Sequence, residues 1–417
     1  PERMPEGVTV LSLDPATPGP QSVPFSLNAA FGAAAGIPCQ VMPTIFNQGW
    51  GDWSLATRAR REQVAVAVWA RGAMLAMGDR LHPEIRLEEA TRTAIGDVRA
   101  LRRELLRVFP AAEARLAPDS LVLHTPAACY GDHFEMFAAG DVRHQLERIH
   151  GAHRLLLDGG ANFGVVPEHH LGAWLEGAGL AILPEISSLS PGAAAALRAR
   201  VEQGGRLLVV GRVPRVKGRV PDWLDIRPSR RPIQDHVYLP SLGAGAGTPP
   251  VLVRGDFSPF TWRGARVMAR AIEPYHARHG VRYGWGIGPP DESQARHAVL
   301  ARKRMGRGEV WWLAVPVFTD YARHGNVQLA SWFRGLLRGI GAPVRARIES
   351  PHGNLELVLW ENAAETWAIL VDHRGEQMVG EGRTWARTTA PTGSQTVTLR
   401  LVGRGSRKSR VTWSDGA

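Results

Sequence analysis

The sequence predicts an α/β protein of several domains, and three observations carry that expectation. Short apolar strands alternate with helices through the middle of the chain, those helices open and close on capping residues, and the helical period disappears beyond Pro343. With 417 residues, at about 100 to 200 per domain, there is length for two to four buried cores. Hydrophobic residues at 44% against 21% charged, with a mean hydropathy of −0.16, are values of a globular chain.

Three zones follow in order. In residues 1–118 the apolar runs VPFSLNAAF and CQVMPTIF precede a long helical stretch, TRARREQVAVAVWARGAMLAMGD. A second, RLEEATRTAIGDVRALRRELLRVF, repeats Ile95, Val98, Leu101, Leu105 and Val108 at spacings of three and four. Read as strand, helix, strand, helix, this is α/β logic with polar residues at the strand ends.

Residues 119–343 give the clearest alternation. Strand SLVLHT leads to a helix around Val142–Ile149, strand NFGVVPE, a short helix HHLGAWLEG, strand LAILPE, helix SPGAAAALRARVEQ and strand GRLLVVG. Ser190 at the N-cap, Pro191 at the first helical position and Gly204-Gly205 past the end are start and stop signals with a mechanism: a side-chain oxygen for an orphan N–H, a preset φ, and residues free to leave the helix. The pattern predicts a doubly wound parallel sheet. TPPVLVRG and GRGEVWWLAVPVF read as two more strands, and VQLASWFRGLLRGIG as the closing helix. In residues 344–417, LELVLW, TWAILVDH and QTVTLRLVG predict a small antiparallel β-domain with a polar tail after Val402.

Composition excludes several classes. Two cysteines, Cys39 and Cys129, cannot build a disulfide framework or a four-cysteine zinc site. No stretch reaches the roughly 18 apolar residues of a membrane span, so no membrane partner is expected. The opening PERMPEGVTV lacks the apolar core of a signal peptide, which leaves localisation open between cytoplasm and export. The formal charge of +11 raises nucleic acid as a partner, but the basic residues are spread, and only Arg206–Arg219 and the tail GRGSRKSR form local runs. Such runs read as solvated faces, and no nucleic-acid partner is expected. His169-His170 follow each other on a helix and point about 100° apart, which is unsuited to one shared ion. GAGAG near Leu242 lacks the following Lys-Ser or Lys-Thr of a phosphate cradle.

The segment LAILPEISSLSPGAAAALRARVEQGGRLLVVG, with its strand ending in Pro-Glu, its Leu-Ser-Pro helix start and its Gly-Gly-Arg-Leu-Leu, resembles the trimerisation domain of the β-galactosidases of glycoside hydrolase family forty-two and related glycosidases. GRGEVWWLAVPVFTDYARHGNVQLASWFRGLLRGIGAP is similar to the closing strand and helix of that domain. The resemblance implies a class I glutamine-amidotransferase-like (flavodoxin-like) fold for 119–343, a β-sandwich-like domain for 344–417, and for 1–118 the C-terminal part of a (β/α)8 barrel. NQGWGDWS and GDRLHPE resemble turns at the barrel mouth. Roughly 115 residues are too few for the eight βα units of a barrel of about 250, so the resemblance implies a barrel incomplete in this chain, with a longer precursor as one source. It also implies glycosidase activity, β-galactosidase-like or α-fucosidase-like, a carbohydrate substrate, no cofactor or metal, and self-association, with a trimer among the possibilities.

Glycosidases use two carboxylates flanking the scissile bond. If the acid/base belongs to missing strands, Asp52 and Asp79 are the candidates here for a second carboxylate or a hydroxyl-binding group; beside Gly51 and Gly78 they equally fit turn residues bonding their own backbone. Trp50 and Trp53 bracket Asp52 and offer flat faces for sugar C–H groups, or for packing over the strand ends. His82, before Pro83, suits either a sugar hydroxyl or a structural hydrogen bond. A Cys-His-Glu amidotransferase triad is not expected, because GRLLVVG runs into Arg212, Val213 and Pro214, and Cys129 in AACYGD lacks a Gly-x-Cys-x-Gly frame. The rival class is a non-catalytic module for oligomerisation or carbohydrate binding.

Overall fold

The computed structural model describes residues 9–13, 22–46, 53–79, 82, 84–109, 113–125, 141–229, 233–242, 249–275, 287–349, 354–373 and 399–401. The chain divides into two compact units, one of residues 1–2, 119–159 and 166–343, the other of 3–118, 160–165 and 344–417.

The second unit begins with three parallel strands, β1 (Leu11–Leu13), β2 (Cys39–Val41) and β3 (Met74–Leu75), in that spatial order. Between them run α1 (Ser22–Ala33) and α2 (Arg58–Ala70), and α3 (Glu89–Val108) follows. VPFSLNAAF is therefore helical, where the sequence reading opened on a strand: Phe25 and Ala29, four apart, share one face and pack on Cys39, Val41, Val64 and Val68. Thr57 caps α2 by accepting from the Arg60 N–H. The helix stops at Ala70, short of the Asp79 that its pattern suggested, because Gly72 takes φ +81° and turns the chain into β3. The short β4 (Arg115–Leu116) closes this stretch.

The chain continues with β5 (Ser120–His124), α4 (Asp141–Asp158), β6 (Phe163–Pro167), whose first three residues are counted with the second unit, and, in the first unit, α5 (Leu171–Leu175), β7 (Leu180–Pro184), α6 (Pro191–Glu202) and β8 (Arg206–Val210). Then come β9 (Ile226–Pro228), β10 (Gln234–Leu239), β11 (Val251–Phe257), β12 (Phe260–Trp262), β13 (Arg266–Arg270), β14 (Glu273–Pro274), β15 (Pro290–Asp291), β16 (Ala298–Met305), β17 (Gly308–Leu313), α7 (Val317–His324) and α8 (Val327–Ile340). A seven-stranded sheet of order β13-β16-β17-β8-β7-β5-β6 organises them. β5, β7, β8 and β17 pair in parallel, and β16 and β13 add an antiparallel edge. Every residue of β7 and β17 is buried, and β7, LAILP, accordingly reads as an unbroken apolar run. TPPVLVRG departs from expectation: as β11 it pairs antiparallel with β10, outside the main sheet. Ser190 accepts from Ala193 N–H at the start of α6, as its sequence signal predicts.

The remaining strands, β18 (Ala346–Ile348), β19 (Leu355–Glu361), β20 (Thr366–Asp372) and β21 (Leu399–Leu401), belong to the second unit. β19 pairs antiparallel with β20 along its whole length and with β4 near its end, at Trp360↔Leu116. It is buried on both faces: Leu355, Leu357 and Leu359 enter one core, Val358 and Trp360 another with Ala67 and Ala70 of α2. The period of two places Glu356 on the second face as well.

A close helix crossing within the first unit gives a test of this packing. A Cβ added to Gly151 of α4 would stand 1.9 Å from the carbonyl oxygen of Phe318 in α7, whereas one at Gly96 of α3 meets nothing within 4 Å. Gly151→Ala is expected to destabilise by about 1–3 kcal/mol through overpacking. Gly96→Ala should be stabilising by about 0.4–1 kcal/mol, both read from urea unfolding.

Candidate functional site

Two places in the fold gather polar side chains at the C-terminal ends of parallel strands. In the second unit, β2 and β3 are prolonged by a parallel bridge between Thr44 and Gly78, with Gly78 N–H donating to Pro43 O at 2.8 Å. The chain leaves β2 at Phe46 and returns at Leu55, where the two residues form an antiparallel bridge. Trp53 lies on the returning limb, 47% exposed, with its ring edge-on to Phe46 at 5.7 Å and to His82 at 6.5 Å. Asp79, half-buried, directly follows the bridged Gly78.

His82 Nδ1 accepts from the Glu84 N–H at 3.1 Å, and Nε2 stands 3.1 Å from Glu88 Oε1. With Nδ1 accepting, Nε2 is the nitrogen that donates to Glu88. The structure thus brings Trp53 and His82 together and sets Asp79 on the neighbouring strand end; Trp50 and Asp52 lie outside the described residues, as do Cys129 and the GAGAG run.

The other place belongs to the first unit. A cleft of about 960 Å3 opens where β7, β8 and β17 end, and Glu185, Gly211 and Trp312 form part of its lining. Glu185 follows β7 with φ +55°, a left-handed elbow for a residue with a side chain. Its N–H donates to Leu183 O and Val210 O, each at 3.1 Å. Its buried carboxylate accepts from Phe318 N–H at 2.8 Å, from Thr319 N–H at 3.1 Å, and from the Thr319 hydroxyl. These are orphan N–H groups of α7, whose N-cap Pro316 supplies no side-chain cap. Burial pushes the Glu185 carboxyl above its ordinary range, against the hydrogen bonds that favour the anion. Gly211, φ +63°, admits this arrangement, since a Cβ there would stand 2.9 Å from Glu185 Cγ.

An amidotransferase elbow needs a nucleophile at its strained residue, and here that residue is a glutamate spent on capping a helix. Cys39, the free cysteine among the described residues, is buried in the other unit, where desolvation pushes its thiol up to about 11. Sequence reasoning looked for a nucleophile after GRLLVVG and at Cys129; the left-handed glutamate instead follows LAILP. The His169 and His170 rings are tilted 49° to each other with centroids 4.3 Å apart, and no group of three or more His, Cys, Asp or Glu suited to a metal occurs among the described residues.

A buried constellation in the second unit escaped the sequence reading altogether. Glu356 accepts from Arg71 Nε at 2.7 Å and from Ser26 Oγ at 2.6 and 2.8 Å, and its other oxygen lies 2.7 Å from His373 Nε2. Arg71 also donates to Phe163 O and lies over the Phe163 ring at 4.8 Å. Serine, histidine and glutamate occur together, yet Ser26 donates to the carboxylate and not to the imidazole, so no base is aimed at its hydroxyl. The set cross-links α1, the end of α2, β19 and the end of β20.

No protein-family model matches the chain, and no sequence among curated proteins does. Solved structures do resemble it. An α-L-fucosidase isoenzyme 2 from Paenibacillus thiaminolyticus aligns with TM-score 0.65 and 22% identity, over 86% of this chain and 53% of that one. β-Galactosidases from Rahnella sp. R3 and from Bacillus circulans each align with TM-score 0.61 and 15% identity, over 88% of this chain and 55% of theirs. These neighbours are glycoside hydrolases, and the chain spans about half their length. At such identities the likeness is one of fold.

The Glu185 arrangement predicts a particular pH dependence. A native pKa above the unfolded value of about 4.3 means the folded chain holds this proton more tightly, so its contribution to stability falls as pH rises from that value through the native one. Glu185→Gln keeps an accepting oxygen but removes the titration, and the stability-against-pH curve should flatten over that window. Glu185→Ala loses the cap and should cost about 1–3 kcal/mol in denaturant melts.

Proposed function

We propose that this chain is part of a glycoside hydrolase, acting on a β-galactoside or an α-fucoside, in which residues 1–118 supply the C-terminal strands of a (β/α)8 barrel. Residues 119–343 act as the trimerisation-type, amidotransferase-like domain, and 344–417 as the β-sandwich-like one. The observation that carries the reading lies beyond the ends of β2 and β3: an exposed Trp53 ring, edge-on to His82, on the limb that returns after β2, and Asp79 directly after the bridge that prolongs β3. Barrel enzymes place their sites at the C-terminal ends of their strands. The fold likeness to a fucosidase and to β-galactosidases over most of this chain supports it.

The division of labour follows from the chemistry. The Trp53 face takes sugar C–H groups, the Asp79 carboxylate accepts from hydroxyls, and His82, with both nitrogens engaged, orients the loop. Hydrolysis needs a general acid and a second carboxylate on opposite sides of the bond. The three parallel strands described here do not amount to the eight of a closed barrel. The chain by itself therefore binds sugar without turning it over.

Titration of the chain with methyl β-galactoside and methyl α-L-fucoside should show saturable binding to one of them. Trp53→Ala and Asp79→Asn should each weaken it at least about tenfold, as expected for a lost stacking face or charged hydrogen bond, with unchanged melting temperatures. Nitrophenyl glycosides of both sugars should give no turnover. Binding to neither glycoside would overturn the sugar site; robust hydrolysis would overturn the division of the barrel.

A further inference from the structure

The cleft at the ends of β7, β8 and β17 has no part in the reading above, and the basic run Arg206–Arg219 contributes to its wall. Three observations meet there. Its volume, about 960 Å3, is that of a small-molecule site, at the carboxyl edge where doubly wound sheets take their ligands.

Charge is the second observation. Arg148, Arg212, Arg215, Arg227 and Arg323 line the cleft, together with the carboxylates of Glu185, Asp222, Asp225 and Asp256. The pairing is uneven. Glu185 is spent on α7, Asp225 is held by Arg227 at 3.1 Å, and Arg323 is held by Glu147 at 2.8 Å. Arg212 is exposed and makes no hydrogen bond or ion pair among the described residues. Arg215, three residues on and also exposed, donates Nη1 to Gly218 O at 3.1 Å.

The backbone supplies the third. Of the non-glycine residues with positive φ among those described, Glu185 (55°), Lys217 (48°) and Asp225 (42°) stand in this cleft or in the loop that walls it. Such conformations persist where the surroundings over-determine them, and they cluster at ligand clamps.

We infer that this cleft binds a small molecule bearing a carboxylate or phosphate group, gripped by the guanidinium forks of Arg212 and Arg215. A planar fork matches either oxyanion with two parallel N–H bonds. A bare ion would leave most of the volume unused, and the hydroxyls of Ser187, Ser229 and Ser258 on the lining suit a hydroxyl-rich body behind the anion. A sugar acid or a sugar phosphate has that chemistry. The inference stands apart from the glycosidase reading, since its residues lie in the other unit.

Calorimetric titration of the full chain with glucuronate, glucose 6-phosphate and glucose tests it. Saturable binding of at least one of the two anions is expected, the one that binds identifying carboxylate or phosphate as the source, and glucose should give no comparable heat. The Arg212→Ala/Arg215→Ala pair should weaken that binding at least about tenfold. Arg212→Ala alone, at an exposed position, should weaken it by a smaller factor. Arg198→Ala, which removes an exposed charge from α6 outside the cleft, should leave it unchanged. Failure of both anions to bind, equal binding of glucose, undiminished binding in the double variant, or equal loss in Arg198→Ala would each overturn the inference.

Discussion

A carboxylate facing two backbone N–H groups ties the larger sheet to the start of α7. Glu185 leaves β7 through a left-handed turn that L-residues rarely adopt, and the hydrogen bonds at its two ends make that turn tolerable. Its N–H is anchored on β7 and β8, while its side chain closes the open end of α7. A helix start without a cap of its own leaves N–H groups that burial makes costly. The glutamate supplies that cap from 133 positions away in the chain, and Gly211 makes room beside it.

The second unit rests on a different use of the same chemistry. Glu356 and Arg71 form a charge pair with almost no exposure to solvent. Desolvating two ions is expensive, and such a pair is tolerated only when the remaining lone pairs and protons are satisfied. Ser26 and His373 reach the carboxylate, and Arg71 Nη1 donates to Phe163 O, while Nη2 is held by the ion pair alone. The alternation of β19 delivers Glu356 to the face that carries Val358 and Trp360, so one strand contributes apolar filling and a polar tie to the same core.

The two strand-end regions differ in the chemistry they offer. After β2 an exposed Trp53 ring stands edge-on to His82, and Asp79 follows the bridge that prolongs β3, the setting of the proposed sugar contact. At β7, β8 and β17 the exposed Arg212 and Arg215 stand on a lining whose Glu185 and Asp225 are already engaged in the fold, the setting of the proposed anion contact. Nothing in the local sequence distinguishes these roles, because each depends on which neighbours already occupy a side chain. His82 illustrates the point: a histidine before proline suits a ligand contact, yet Glu84 and Glu88 engage both its nitrogens.

Periodicity and capping by themselves determined the alternation of β5 to β8 with their helices, the Ser190 cap, and the strand character of LELVLW and TWAILVDH, since those signals act within a few residues. The Pro-Glu after β7 and the basic run after β8 were visible too, though without a role. Tertiary structure alone decided that VPFSLNAAF is helical, that TPPVLVRG leaves the main sheet for β10, and that Glu185 caps α7. It alone gathered Ser26, Arg71, Glu356 and His373. These outcomes turn on partners tens to hundreds of residues distant, and a short apolar run or a lone charged residue carries no local trace of the group that will satisfy it.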